Sequence, residues 1–410
     1  MPRSGWVKPE SDRRLSDLVS VGLLTRVFPP DLVDEVIAGA GRTEQRRRVL
    51  PARAMAYFAI GMGLHAEASY EDVMRLLTDG LAWSTGWAEV YVPPSKSGIF
   101  QARVRLGPEP VEALFRRVAR PLAVAETPGA WLARRRLVAL DGTCLDVADT
   151  ELNAVFFGRA GVRKGERSAF PQARLVGLTE CGTHAILDAE VGPYTIGENA
   201  LAAPVLDRLQ PGMLVLADRG LAGFSQWQRA AATGADLLWR VRTGKTALTP
   251  RLLQELPDGS YLAEVLPSRS AFATEQPVTV RVVDYTLHHG RNHDQDSMES
   301  YRLFTTILDP DEAAAEQLAL AYGQRWEIEQ AFDELKTHQR GPRMVLRSKS
   351  PDLVFQEMWG HLCCHYAIRT LMAETAAAGG HDPDRVSFVA ALRISRSSLA
   401  HQGDFSPSAT

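Results

Sequence analysis

Residues 212–220, GMLVLADRG, form an unbroken apolar run that ends on a carboxylate. A strand that is apolar at every position, rather than at every second one, has both of its faces covered. The cover at hand is helical, because helix-compatible stretches over residues 199–209 and 224–232 flank the run. A second β-prone run, RRRLVALDGT, reads as a strand ending in Asp141, and ADLLWRVR reads as another. Between them, ARLVGLTECGTHAILDAEV reads as two strands joined at Glu180-Cys181-Gly182-Thr183, a hairpin. The order strand, hairpin, helix, strand, helix, strand predicts an α/β domain in which a mixed sheet lies between helices.

The flanking regions have a different grammar. Leu18, Val21, Leu24 and Val27 recur at helical spacing, as do Val73, Leu76 and Leu77, so residues 1–130 are expected to form an all-helical N-terminal domain. Pro29-Pro30-Asp31 marks a break and a new helix start. Further on, Ser95 or Ser97 is placed to cap a helix carrying Lys96, Gln101, Arg103 and Arg105, with Gly107-Pro108 to stop it. Such a helix suits a DNA groove, and it equally suits an ordinary amphipathic helix with a basic exposed side. The α/β core is expected over residues 131–242 and 309–380, interrupted by a β-rich insertion over 243–308. Within the core, one long helix is expected from Asp311 to about His338 and another from Leu353 to Ala378, with a polar tail over 381–410.

Bulk properties narrow the classes. The chain has 410 residues, 45% hydrophobic and 23% charged, which suits folded domains with sizeable cores. Its net charge of -3 gives no global attraction to nucleic acid, so any DNA contact must be local. The N-terminal third carries an excess of about five positive charges, including the run Arg46, Arg47, Arg48. The four cysteines, Cys144, Cys181, Cys363 and Cys364, form no C-x-x-C pair and imply a reducing compartment. The start, MPRSGWVKPESDRRL, lacks the apolar region of a secretory signal, and no run is apolar and long enough to span a bilayer. The expectation is a cytoplasmic protein.

The chemistry lies in YGQRWEIEQAFDELK. Tyr322, Arg325, Glu329 and Lys336 fall on a stripe roughly 60° wide on one helix face. Alone, that stripe reads better as an exposed ladder of charges, with Arg325 and Glu329 an ordinary i,i+4 pair. Asp141 and Asp218 change the balance, since polar groups just beyond strand ends gather in the crevice where α/β sheets bind ligands. Two such aspartates plus Glu329 make an oxygen-only site suited to Mg²⁺. Two ions about 4 Å apart would clamp an in-line phosphoryl displacement, with Arg325 and Lys336 holding phosphates.

Together these residues resemble the insertion-sequence transposases of the insertion element four family, whose signature is Tyr-x2-Arg-x3-Glu-x6-Lys. All four positions match at Tyr322, Arg325, Glu329 and Lys336. Asp141-Gly142-Thr143 and Asp218-Arg219-Gly220 resemble the family's first and second aspartate segments. The resemblance spans residues 15 to 380 and implies a ribonuclease H-like core with a β-rich insertion between Asp218 and Glu329. It implies a catalytic and metal-binding trio of Asp141, Asp218 and Glu329, with Mg²⁺ or Mn²⁺, two ions in all. Tyr322, Arg325, Lys336 and Arg219 are the expected phosphate contacts, joined by Lys96, Gln101, Arg103 and Arg105 on the N-terminal helix. The implied partners are double-stranded DNA, as terminal inverted repeats and target, and a second copy of the chain in a synaptic homodimer. Cut-and-paste members of the family release their element through hairpin ends with a flipped base stacked on aromatics. Here no Trp lies between Trp239 and Trp326, which leaves Tyr285 or Tyr301 for that role.

Other signals carry less. Gly244-Lys245-Thr246 lacks the Gly that a phosphate-binding loop needs, since Arg240 stands there. His361, Cys363, Cys364 and His365 read as core-helix residues, because adjacent cysteines on a helix diverge. His288, His289 and His293 read as solvated, Glu198 and Asp146 as surface carboxylates, and Trp326 as a packing residue.

Overall fold

A computed structural model describes residues 22–46, 48–84, 94–161, 168–243, 248–266, 276–289, 297–341 and 345–398. The Gly244 segment, Leu18, Val21, Arg47 and His293 lie outside these residues.

Six helices open the chain: α1 (Gly22–Val27), α2 (Pro30–Gly39), α3 (Ala52–Leu64), α4 (Tyr70–Ser84), α5 (Lys96–Leu106) and α6 (Glu109–Val118). Pro30 begins α2 where its missing N–H costs nothing. At α5, Ser95 caps the start by accepting from the Gly98 N–H at 3.3 Å, and Gly107 ends it at φ 72°. α3 is buried on nearly every side, so it is an internal helix rather than a surface one.

The strands are β1 (Trp131–Leu132), β2 (Arg135–Asp146), β3 (Gln172–Glu180), β4 (Ile186–Pro193), β5 (Met213–Ala217), β6 (Asp236–Arg240), β7 (Pro250–Glu255), β8 (Tyr261–Val265), β9 (Val278–His289) and β10 (Ser297–Thr305). Helix α7 (Glu151–Phe157) follows β2, α8 (Glu198–Asp207) follows β4, and α9 (Phe224–Ala231) follows β5. They build one sheet in the order β4-β3-β2-β5-β6-β10-β9-β8-β7, with β1 paired to β2. β2, β5 and β6 run parallel, while β3 and β4 are antiparallel to their neighbours. This is the ribonuclease H-like arrangement. The insertion is not a separate subdomain, because β10 pairs with β6 through Leu303–Thr305 and continues the central sheet outward.

Helices cover both sides of the parallel strands, as the continuous apolar runs required. On one face Val138, Leu140, Val215 and Ala217 pack with Leu201 and Val205 of α8 and Phe224 and Trp227 of α9. On the other, Leu137, Ala139, Leu214 and Leu216 join the N-terminal helices and the later helices in a single core. Those later helices are α10 (Ala315–Gly323), α11 (Glu327–Asp333), α12 (Pro351–Gly379) and α13 (Phe388–Ser398). α12 starts at Pro351 and stops at left-handed Gly380, φ 61°. It packs against α3, α6 and β4, so the N-terminal helices share a core with the α/β part.

Two further expectations change. The helix expected from Asp311 to His338 is broken into α10, a 3₁₀ turn at Gln324–Trp326, α11 and a π segment at Glu334–Gln339. The supposed polar tail contains α13, whose Phe388, Ala391 and Leu392 are buried against the core. Arg393, Ser395, Arg396, Ser397 and Ser398 hid this helix by making its second half read as polar.

Candidate active site

β2 and β5 run parallel with Leu140 opposite Ala217, the last pair in register, so Asp141 and Asp218 occupy the next position on neighbouring strands. Strand alternation turns both away from α8, toward α11. β2 does not end at Asp141, as expected, but runs on to Asp146 because it continues to pair with β3. Only its parallel partner stops there, and that opens the crevice.

Glu329 reaches this crevice from α11. Arg325, one helical turn earlier, touches two of the three carboxylates with one guanidinium. Its Nη1 lies 3.4 Å from Asp141 Oδ2 and its Nη2 donates to Glu329 Oε1 at 3.1 Å. Asp218 also faces the Arg325 charge. Burial pushes the Asp141 carboxyl up to about 6, aided by Glu198 and Glu329 and opposed by the Gly142 N–H and Arg325. Asp218 Oδ1 is buried and, among the described residues, accepts no hydrogen bond. A buried carboxylate oxygen without a donor is costly in a plain protein interior and suits a bound cation. The residues present therefore fit a hard divalent ion held by oxygen.

The other residues expected at the site fall into two groups. Lys336, on the π segment, donates from Nζ to Thr143 Oγ1 at 2.9 Å and so reaches the strand beyond Asp141. Arg219 is exposed in the turn after Asp218. Tyr322 instead is buried, its hydroxyl 3.4 Å from the Ala217 carbonyl at the end of β5. Burial and the nearby Asp218 charge raise its phenol far above the usual range. It supports the strand end rather than facing open solvent, where a phosphate would lie.

On α5, Lys96, Gln101 and Arg105 are exposed, but Arg103 is not. Its guanidinium is fully buried and donates to Gln356 Oε1 at 2.8 Å, the Tyr70 hydroxyl at 2.5 Å, Ser348 Oγ at 3.0 Å and the Leu353 carbonyl at 3.1 Å. The DNA contact expected of Arg103 is thereby corrected to an internal tie between α5 and α12. Exposed Arg105 lies beside Arg48 and Arg46 around a cleft of about 730 Å³.

Sequence reasoning undervalued Glu198. A Cβ on Gly142 would overlap the Glu198 carboxylate, which Arg174 holds at 3.7 Å. The one signal for it was a glycine directly after the first aspartate. Asp146 is remote in role, accepting from Gln172 Nε2 at 2.8 Å. Trp326, expected to pack, is 53% exposed, with Arg325 stacked over its ring at 4.6 Å. The 3₁₀ turn rotates it outward. Tyr301 is buried against Tyr285, centroids 5.0 Å apart. His365 and His361 bond Glu334 and Gln339 inside α12's core, as a core-helix reading requires.

Comparison with known proteins adds two family matches, the insertion element 4 transposase N-terminal region at residues 18–116 and the transposase DDE domain at residues 132–367. The chain is 28% identical over 364 residues to the transposase InsG for insertion sequence element IS4 of Escherichia coli (strain K12), covering 88% of this chain and 78% of that protein. It is 26% identical over 209 residues to the putative transposase InsZ of the same organism, covering 51% of this chain and 67% of that one. Among solved structures, a piggyBac transposase synaptic complex with hairpin DNA aligns at TM-score 0.48 and 12% identity, over 94% of this chain and 80% of that one. Among the described residues, no helix is long and apolar enough to cross a membrane.

Proposed function

This chain belongs to the DDE transposases, a divalent-metal-dependent family that performs DNA cleavage and strand transfer, and from that premise we propose that Asp141, Asp218 and Glu329 carry the reaction. The supporting observation is the shared crevice: two aspartates at adjacent parallel positions, and one guanidinium that links Asp141 to Glu329. Asp141, Asp218 and Glu329 would hold Mg²⁺ or Mn²⁺, two ions in all. Bound there, such ions would supply Lewis-acid activation of water or a 3′-hydroxyl and charge neutralisation at the leaving oxygen.

The chain's own groups do the rest. Arg325 balances the carboxylates in the absence of DNA and is placed to fork onto a phosphate once they are otherwise neutralised. Lys336 sets a point charge beside Thr143, on the path of a backbone leaving the crevice. Tyr322 holds the end of β5 and thereby the direction of Asp218. Exposed Arg219, Lys96, Gln101 and Arg105 are the further phosphate contacts. The partners are terminal inverted repeats and target DNA, handled by a homodimer in the cytoplasm at the nucleoid.

Purified protein incubated with the inverted-repeat ends that flank its gene and Mg²⁺ tests this. Wild type is expected to cut the ends and join their 3′-hydroxyls to target, while Glu329→Ala binds the ends but cuts at least about a thousandfold more slowly. Nicking without joined product would reduce the activity to that of a nuclease. Unchanged cutting by Glu329→Ala would remove the trio from the reaction.

A further inference from the structure

Behind the helix that presents Glu329, a second set of potential ligands converges. His184 sits in the turn between β3 and β4, Glu327 on α11, and Asp384 in the short turn between α12 and α13. His184 Nε2 lies 3.1 Å from Asp384 Oδ1 and 3.6 Å from Glu327 Oε2, and all three ligand atoms fall within 4.8 Å of one another. A tetrahedral zinc site with bonds of about 2.0–2.1 Å has ligand atoms about 3.3 Å apart, and the two spacings to Nε2 lie on either side of that value. From these distances we propose that His184, Glu327 and Asp384 form a binding site for one transition-metal ion of the zinc class, independent of the acidic trio.

Two further observations point the same way. His184 is 3% exposed, and its Nε2 makes no aligned hydrogen bond among the described residues, although two carboxylates stand around it. A buried imidazole nitrogen in that position needs either a proton aimed at an acceptor or a metal. The ring's other nitrogen, Nδ1, faces Glu334 Oε1 at 3.6 Å and also touches Arg369. Arg369 donates to Nδ1 in the metal-free ring, which leaves the ring proton on Nε2; when an ion takes the Nε2 lone pair that proton must move to Nδ1, with Glu334 as its acceptor and Arg369 turned onto the Glu334 oxygens alone. That is the carboxylate–histidine–metal relay by which proteins orient a metal-bound imidazole.

A water would complete the set as the fourth ligand. A cleft of about 550 Å³, lined by His184, Asp384 and Glu329, opens the site to solvent. One nitrogen and two carboxylate oxygens distinguish the site from the oxygen-only crevice and favour zinc-class ions over Mg²⁺. The ion would staple three segments distant in sequence, and Glu327 lies two residues before Glu329. The site is thus a positioning device for the start of α11.

The test is metal binding by the full chain, freed of metal with chelator and titrated with Zn²⁺ by calorimetry and with Co²⁺ as the visible-absorption probe. Wild type and Asp218→Ala are expected to bind one Co²⁺ with the intense visible band of a four-coordinate ion. Asp384→Asn is expected to lose the band and weaken Zn²⁺ binding by more than about tenfold. Asp384 is partly exposed and its change leaves the core intact, so this variant serves even if His184→Ala does not fold. No Zn²⁺ binding by wild type, or binding undiminished in Asp384→Asn, would overturn the assignment. So would a Co²⁺ band that disappears in Asp218→Ala.

Discussion

Gly142 separates two carboxylates, Asp141 on the α11 side of β2 and Glu198 on the α8 side. A methyl group there must push Glu198 off its Arg174 contact, so Gly142→Ala is expected to lower stability by about 1 kcal/mol and cutting by tenfold or more. Urea unfolding and end-cleavage rates check the two numbers separately. Arg325→Lys is expected to cost more than charge conservation suggests, because an ammonium cannot span Asp141 and Glu329 together. At this scale the placing of Asp141 and Asp218 at neighbouring strand positions was legible, since a carboxylate closing an apolar run is conspicuous, whereas Glu329 was singled out by the spacing of the helix signature. Glu198 was not, because its nearness to Asp141 arises from α8 crossing the sheet. Trp326 was misread because helical phase assumed an unbroken helix.

Among elements, α5 carries the sharpest contrast. Its Lys96 and Arg105 face solvent while Arg103, between them in sequence, is sealed against α12. Removing one end of a buried hydrogen-bonded charge leaves its partners unpaired, so Arg103→Ala is expected to cost about 3–5 kcal/mol in denaturant unfolding. Lys96→Ala should leave stability unchanged and lower the salt dependence of end binding by about one unit of slope. Identical salt slopes for Lys96→Ala and wild type would take that residue off the DNA. The cap, stop and length of α5 could be read locally from Ser95 and Gly107. Its inward face could not, because the residues that bury Arg103 lie some 250 positions away. The same limit applies to the helix carrying the signature: its apolar spacing showed a helix but not the 3₁₀ and π turns that interrupt it. That π segment is what brings Lys336 to Thr143.

For the whole molecule, one core joins the N-terminal helices, the sheet and α12, so unfolding should respond to buried titratable groups in every part. Burial lowers the His65 imidazole from 6.5 to about 4, helped by the Arg396 charge. Above pH 6.5 it is neutral folded or unfolded and contributes no pH dependence. Between pH 6.5 and about 4 the unfolded chain takes up a proton that the folded chain refuses, so stability falls with pH. Glu334 acts in the same direction at lower pH. Burial alone would raise its carboxyl, yet His184, His365 and Arg369 hold it well below the usual range. Its contribution is full above the ordinary carboxylate range and disappears as pH drops through and below it. Thermal midpoints are expected to decline from pH 7 to 4, and less steeply in His65→Gln; an unchanged slope would mean His65 is not the linked group.

The mixed order of the sheet and its two helical coats followed from apolar runs in the sequence, because strands buried on both faces leave few alternatives. The outward continuation through β10 did not, since pairing across an insertion depends on which sheet edge is free. The function proposed for that frame depends on Asp141, Asp218 and Glu329 sharing cations. Anomalous diffraction from crystals grown with end DNA and soaked in Mn²⁺ reads this directly. Peaks bounded by Asp141, Asp218 and Glu329 are predicted; Mn²⁺ bound at other positions, with those three carboxylates uncoordinated, would contradict the account.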